Sequence, residues 1–203
     1  MIRTFLSIEL PEALRAGLTR LQVDLKRRLS PDLPRKVRMS WVQPASVHLT
    51  VKFLGDIDEQ LVVPMKESLG EAVRKHPTLE IPLARLGVFP RLQQPRILWA
   101  GPSEQWERGE EAGRLALLHR AIDERCGALN FARDERPCTP HLTLARIKEG
   151  ERSVGQALAK SGVMDRSLDV GSLPVESIAL MRSELRPTGP VYTKLWEVRL
   201  GTN

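Results

Sequence analysis

Four histidines occur in the chain: His48, His76, His119 and His141. Two of them head the same triplet, His48-Leu49-Thr50 in the first half and His141-Leu142-Thr143 in the second. Side chains alternate along an extended strand, so each histidine shares a face with the threonine two residues on. Imidazole exchanges a proton near neutral pH, and a threonine hydroxyl donates to an anionic oxygen. One such strand is half of a phosphate site. Two of them across a groove put an imidazole on each side of one phosphorus. In-line displacement needs that arrangement, with a base beside the entering oxygen and an acid beside the leaving one. The hydroxyls of Thr50 and Thr143 would hold the non-bridging oxygens as charge builds. Residue chemistry specifies opposite roles for His48 and His141 but not which is acid and which is base.

Two histidines are too few for catalytic zinc, which takes three protein ligands, and no HExxH pair, Gly-rich phosphate loop, GxSxG elbow or dinucleotide fingerprint is present. The expectation is a site with no metal and no cofactor. His76 and His119 fall on helical patterns outside any motif and read as surface or packing residues. Cys126 and Cys138 have no metal-ligand spacing and read as reduced thiols. Three further positions are candidates for phosphate or ligand contact. Lys52, by strict alternation, shares the His48 face. Arg146 closes the second motif; alternation puts it on the face opposite His141, as an exposed or salt-bridged residue, unless a β-bulge reverses it. Tyr192, the single tyrosine, is a candidate base-stacking ring together with Trp41, whereas parity assigns Phe53 to the core.

These residues need strands to present them. Val47 to Gly55 alternates cleanly, and Pro140 to Ile147 repeats the pattern. Arg3 to Leu10, Arg38 to Gln43, Leu79 to Phe89, Arg96 to Gly101 and a final pair over Val175–Leu185 and Val191–Leu200 are further strand candidates. Helical spacing marks the run from Pro11, with Leu14, Leu18, Leu21, Leu25 and Leu29, then Asp58–Lys75, Glu104–Cys126 and Ser153–Lys160. Strands with one polar face argue for antiparallel α+β sheets covered by helices on one side. The triplet echo, which Pro44 and Pro137 share, divides the single 1–203 domain into two similar, closely packed lobes, about 1–100 and 101–203. The 203 residues carry 31 Lys and Arg against 25 Asp and Glu, a net charge of +6. That balance favours a polyanionic partner. No apolar stretch reaches membrane-spanning length, and the start, MIRTFLSIELPEAL, lacks a secretory signal pattern. The expectation is a cytoplasmic protein with no membrane partner.

The segments RTFLSIELP, WVQPASVHLTVKFLG, FP…PRILWAG, PHLTLAR and SELRPTGPVYTKL together resemble the two-histidine phosphoesterases, and within them the bacterial and archaeal RNA 2′,3′-cyclic phosphodiesterases, long called 2′-5′ RNA ligases. The resemblance spans nearly the whole chain. It implies a bilobal α+β fold of pseudo-twofold halves around a central groove, with helices outside. It implies that His48 is the proton donor, that His141 is the acceptor activating water, and that Thr50 and Thr143 bind phosphate. The implied substrate is RNA with a 2′,3′-cyclic phosphate terminus, tRNA fragments among the candidates, opened to a 2′-phosphate; the same chemistry run as a transfer joins RNA ends through a 2′-5′ linkage. The alternatives are 2′-5′ oligonucleotides or a cyclic nucleotide metabolite as substrate, or an RNA-binding module without catalysis.

Overall fold

The computed structural model describes residues 1–135, 138–187 and 189–201; Pro137 lies outside them. The elements, in order, are β1 (Ile2–Glu9), α1 (Glu12–Leu29), β2 (Arg38–Trp41), β3 (His48–Ile57), α2 (Val62–Val73), β4 (Leu79–Pro82), β5 (Arg85–Phe89), β6 (Ile97–Gly101), α3 (Glu104–Glu107), α4 (Glu110–Ala128), β7 (Leu142–Glu149), α5 (Glu151–Ser161), β8 (Ser172–Val175), β9 (Ser177–Arg186) and β10 (Gly189–Arg199). The fold is α+β with antiparallel strand pairing, and among the described residues no helix is long and apolar enough to cross a membrane.

The main sheet runs β10-β9-β1-β3-β7-β6-β5, with β2 also on β7. Its middle is thin. β3 and β7 meet through one residue pair, Leu49 with Leu142, and β2 takes over the edge of β7 where β3 departs, from Ala145 to Glu149. One half therefore consists of β10, β9, β1 and β3, and the other of β7, β6, β5 and β2. This corrects the expected division near residue 100. The first half takes strands from both ends of the chain and the second from its middle, because antiparallel partners are chosen by edge pairing and not by sequence neighbourhood.

Two further elements differ from the sequence reading. The stretch Leu79–Phe89 is two strands, since β4 leaves the main sheet to pair with β8 in a separate ribbon. The helix expected over Glu104–Cys126 is split at Gly109, a poor helix former. The one-turn α3 before it is capped by the Ser103 hydroxyl, which accepts from the Trp106 N–H.

Helices cover one face of the sheet. Leu14, Leu18, Leu25 and Leu29 form the buried stripe of α1, and Leu115, Leu118 and Ile122 that of α4. They join Leu49, Leu142 and Leu144 in a single core. Burying each such side chain stabilises the fold by roughly 1.5–3 kcal/mol. Because Leu49 and Leu142 point into this core, His48, Thr50, His141 and Thr143 point to the opposite face.

Lys52 lies on the core side. Its side chain is 1% exposed, and its Nζ donates to Asp123 at 2.6 Å and lies 3.1 Å from Asp134. Asp123 also accepts from the Asp134 N–H, and His119 Nε2 is 3.2 Å from Asp134. The expected contact between Lys52 and phosphate is thus overturned, and His119 belongs to a structural cluster. Burial by itself would lower the Lys52 pKa, but the two carboxylates outweigh it and the net direction is upward. Truncating the lysine strips the carboxylates of their buried cation. Lys52→Ala is expected to cost on the order of 3 kcal/mol, a fall in Tm of roughly 6–12 °C, measured by thermal unfolding at pH 7.

Candidate active site

The two motif strands carry the same irregularity at the same place. In β3 the register against β1 slips between Lys52 and Thr50, so Val51 has no partner. In β7 the register against β6 slips between Ala145 and Thr143, so Leu144 has none. Each is a β-bulge that reverses the alternation beyond it. Val51 and Lys52 are both buried, as are Leu144 and Ala145. The next residue in each strand then returns to the histidine face. In β3 that residue is Phe53, 71% exposed and with its ring 6.2 Å from Phe5, and not a core residue as parity assigned it. In β7 it is Arg146. The bulge thus turns Lys52 inward and brings Phe53 and Arg146 to the face that carries the histidines.

Each imidazole is held in the same way. His48 Nδ1 is 2.9 Å from the Ser46 carbonyl, and His141 Nδ1 is 2.8 Å from the Thr139 carbonyl. A carbonyl only accepts, so Nδ1 carries the hydrogen in both rings and Nε2 is left with the lone pair. His48 stacks on Phe5 (centroids 4.7 Å apart) and meets the edge of Tyr192 at 5.1 Å. His141 meets Phe89 edge-on at 5.0 Å and lies 6.2 Å from Trp99. The Trp99 indole occupies the space above Gly87 on β5, where a Cβ would sit 2.0 Å from it. Around the Leu49–Leu142 pair the two histidines are diagonal neighbours, which in a regular ladder lie roughly 7–8 Å apart. A separation of that order would admit a small anion between the rings.

Arg146 faces both histidines. Burial is the largest influence lowering the pKa of His48 and of His141, the anchoring carbonyls oppose it, and the Arg146 guanidinium lowers both further. The same guanidinium acts on Tyr192, whose hydroxyl burial pushes up. No carboxylate among the described residues pairs with Arg146. The nearby Glu9, opposite His48 in register, is engaged by Lys194 at 2.6 Å. The face therefore presents two imidazole nitrogens, a free guanidinium, the Tyr192 ring and two threonine hydroxyls that make no hydrogen bond among the described residues. Such a set has the chemistry to bind a tetrahedral anion and to exchange protons on either side of it.

Tyr192 is thus brought to the site, as Thr50 and Thr143 are. Trp41 is not: it pairs with Ala145 on the core side, under the Lys26 ammonium. Both cysteine thiols are pushed up to about 11 by burial, so neither is a thiolate near neutral pH. Sequence reasoning missed the supports. Arg15 on α1 donates to the Leu10 carbonyl at 3.0 Å and to the Ala45 carbonyl at 2.6 Å, tying down the turn before His48. Gln22, buried in the same helix, donates to Val42 and Leu144 carbonyls at 2.9 and 3.0 Å and so braces the bulge of β7. A buried polar residue within an apolar helical stripe was the one available signal. Two buried side-chain atoms among the described residues lack a partner, Ser7 Oγ and Trp99 Nε1; Ser7 pairs with Thr50 and Trp99 with Thr143.

Comparison with known proteins shows the family to which this fold belongs. A family model described as LigT like Phosphoesterase matches residues 8–99 and 108–192. A relative from Methanothermobacter thermautotrophicus, named RNA 2′,3′-cyclic phosphodiesterase, is 33% identical over 98% of this chain and 99% of its own length. One of the same name from Thermus thermophilus is 34% identical over 96% and 88%. A crystal structure from Thermus thermophilus aligns over all of both chains with 29% identity and a TM-score of 0.68. Escherichia coli LigT in complex with 3′-AMP aligns over 98% of each chain with a TM-score of 0.72 and 22% identity, a likeness of fold.

Two outcomes follow from the electrostatics. Ring signals of His48 and His141, followed by NMR, are expected to titrate below 6.5, and Arg146→Gln is expected to move both upward, because a cation that opposes protonation is gone. Since the folded values lie below the unfolded one, the stability these rings contribute is complete above about pH 6.5 and is lost as pH falls through the folded values. Unchanged titrations in Arg146→Gln would separate the guanidinium from the pair. Ser7→Ala removes a buried hydroxyl that has no partner, so Tm is expected to hold or rise.

Proposed function

Because the chain belongs to the LigT-like phosphoesterases, we propose that it is a cytoplasmic RNA 2′,3′-cyclic phosphodiesterase that opens cyclic ends to 2′-phosphates without a metal ion. The observation that carries the reading is the twofold repetition of one device, an imidazole anchored through Nδ1–H with Nε2 presented to a shared face, and an unpaired arginine whose charge acts on both. The relatives' name supplies the substrate class: RNA with a 2′,3′-cyclic phosphate terminus.

In this reading His141 Nε2 takes a proton from water as its oxygen attacks phosphorus. The bond from phosphorus to the 3′ oxygen breaks, and His48, protonated at Nε2, gives its proton to that oxygen. The products are a 3′-hydroxyl and a 2′-phosphate. Thr50 and Thr143 donate to the non-bridging oxygens, and Arg146 balances the charge that develops there. The buried imidazoles resist protonation in the free protein, and the phosphodiester anion offsets this by favouring the His48 imidazolium. With the 5′-hydroxyl of a second RNA in place of water, the same displacement leaves a 2′-5′ linkage. Tyr192 lines the site beside His48, where its ring contacts the terminal nucleoside.

His48→Ala and His141→Ala are each expected to lower turnover of a dinucleotide 2′,3′-cyclic phosphate by on the order of 10²-fold or more, while the wild-type protein keeps its rate in excess chelator. Wild-type turnover in either variant, loss of activity in chelator, or a 3′-phosphate product would overturn the assignment.

A further inference from the structure

Many arginines of this chain are matched to acids. Arg27 and Arg28 bind Asp24, Arg114 binds Glu110, and Arg120 binds Glu124. One region gathers several cations that are not so matched. A cleft of about 610 Å³ between the β5–β6 loop and the start of α5 is lined by Lys36, Arg91, Arg96 and Arg152, with Glu151 as its only acid. All four cations are exposed. Among the described residues none has a carboxylate within salt-bridge distance; the sole side-chain bond they make is from Arg91 to the neutral Gln94 at 2.8 Å. A second hollow of about 560 Å³ continues from it along α5, past Arg91, Arg152 and Gln156.

The cleft is prebuilt. The Leu92 carbonyl lies so close to Gly155 of α5 that a Cβ there would be 2.1 Å from it, so the loop seats directly on the helix backbone. The cleft lies one residue along the chain from two residues of the catalytic face. Pro90, in its wall, follows Phe89, whose ring touches His141. Arg96 donates its N–H to the Phe89 carbonyl at 2.7 Å, and its neighbour Ile97 pairs with Arg146.

We propose that this cleft binds the ribose–phosphate backbone of an RNA strand on the 5′ side of the cyclic end held between the histidines. A 2′,3′-cyclic phosphate closes the 3′ end of a chain, so the rest of the RNA must leave the groove carrying one negative charge per nucleotide. Unpaired guanidiniums beside the exit meet that charge in sequence-independent fashion. The proposal rests on the assignment of RNA-end chemistry to His48 and His141, and it makes the protein a reader of polynucleotides and not only of terminal nucleotides.

The test uses the full chain and the triple variant Arg91→Gln, Arg96→Gln, Arg152→Gln, with Tm compared to verify folding. Two cyclic-phosphate substrates are assayed, a dinucleotide and a single-stranded RNA of about ten nucleotides. For the longer RNA the variant is expected to raise KM by tenfold or more and to flatten the dependence of log KM on log salt by about 2, the share of three phosphate contacts on a single strand. Its kcat/KM on the dinucleotide is expected to match wild type. Equal losses on both substrates, or no change on the longer one, overturn the proposal. If wild-type protein opens neither substrate, the functional assignment has failed, and the cleft is judged separately by fluorescence anisotropy with a labelled RNA ending in a plain 3′-hydroxyl. Equal affinity of wild type and variant for that RNA then rejects the cleft as well.

Discussion

One main-chain pairing, Leu49 with Leu142, is the constraint from which the site follows. It is the only residue pair between β3 and β7, and it sits at the first turn of alternation in both motifs. Both leucines enter the core, so both histidines and both threonines are driven to the other face. A longer ladder between these strands would have closed the sheet flat and packed the two imidazole rows side by side. A single pair lets the strands splay while fixing where they cross. The cost of short pairing is made up elsewhere: β1 and β9 complete one half, β2 and β6 flank β7, and the helices close over a common core.

The bulges extend the same logic. A regular strand offers every second residue to a face, which would have buried Arg146 and Phe53 and turned Lys52 and Ala145 outward. One extra residue in each strand exchanges these assignments. The cation that reaches the groove is thereby the arginine without a carboxylate partner, and the cation that enters the core is the lysine that finds two. Gln22 shows how such an irregularity is kept: the Leu144 carbonyl at the bulge accepts from both Val42 N–H and the Gln22 side chain, so a backbone group displaced from regular pairing is not left unsatisfied.

Much of this was legible in the amino-acid sequence, because it is carried by local pattern. The two HLT strands, the leucine stripe of α1, the antiparallel α+β class and the pairing of His48, Thr50, His141 and Thr143 all follow from periodicity and residue chemistry. What was not legible depends on partners distant in the chain. Strict parity cannot show a bulge, since the extra residue is defined only against β1 or β6, and so Lys52, Phe53 and Arg146 were each assigned to the wrong face. The same holds for the lobes. A repeat of motifs suggests halves contiguous in sequence, whereas edge pairing with β9 and β10 gathers strands from both ends. The aromatic supports of the histidines, Phe5 and Phe89, come from neighbouring strands, so no spacing within the motifs announces them.

The choice of backbone carbonyls to anchor the histidines has an electrostatic reason. A carboxylate behind each imidazole would fix the same tautomer, but it would also favour the charged ring and bring a negative charge beside an anion. The carbonyls of Ser46 and Thr139 orient the rings without adding charge. Burial then favours the neutral imidazoles, and Arg146 adds to that bias; in the proposed reaction it would also supply the attraction for the anion. Glu9, the acid opposite His48, is held by Lys194. In the proposed reaction the protonation state that in-line displacement needs would thus be set by the bound phosphate itself, on a face made of neutral rings, hydroxyls and one unpaired guanidinium.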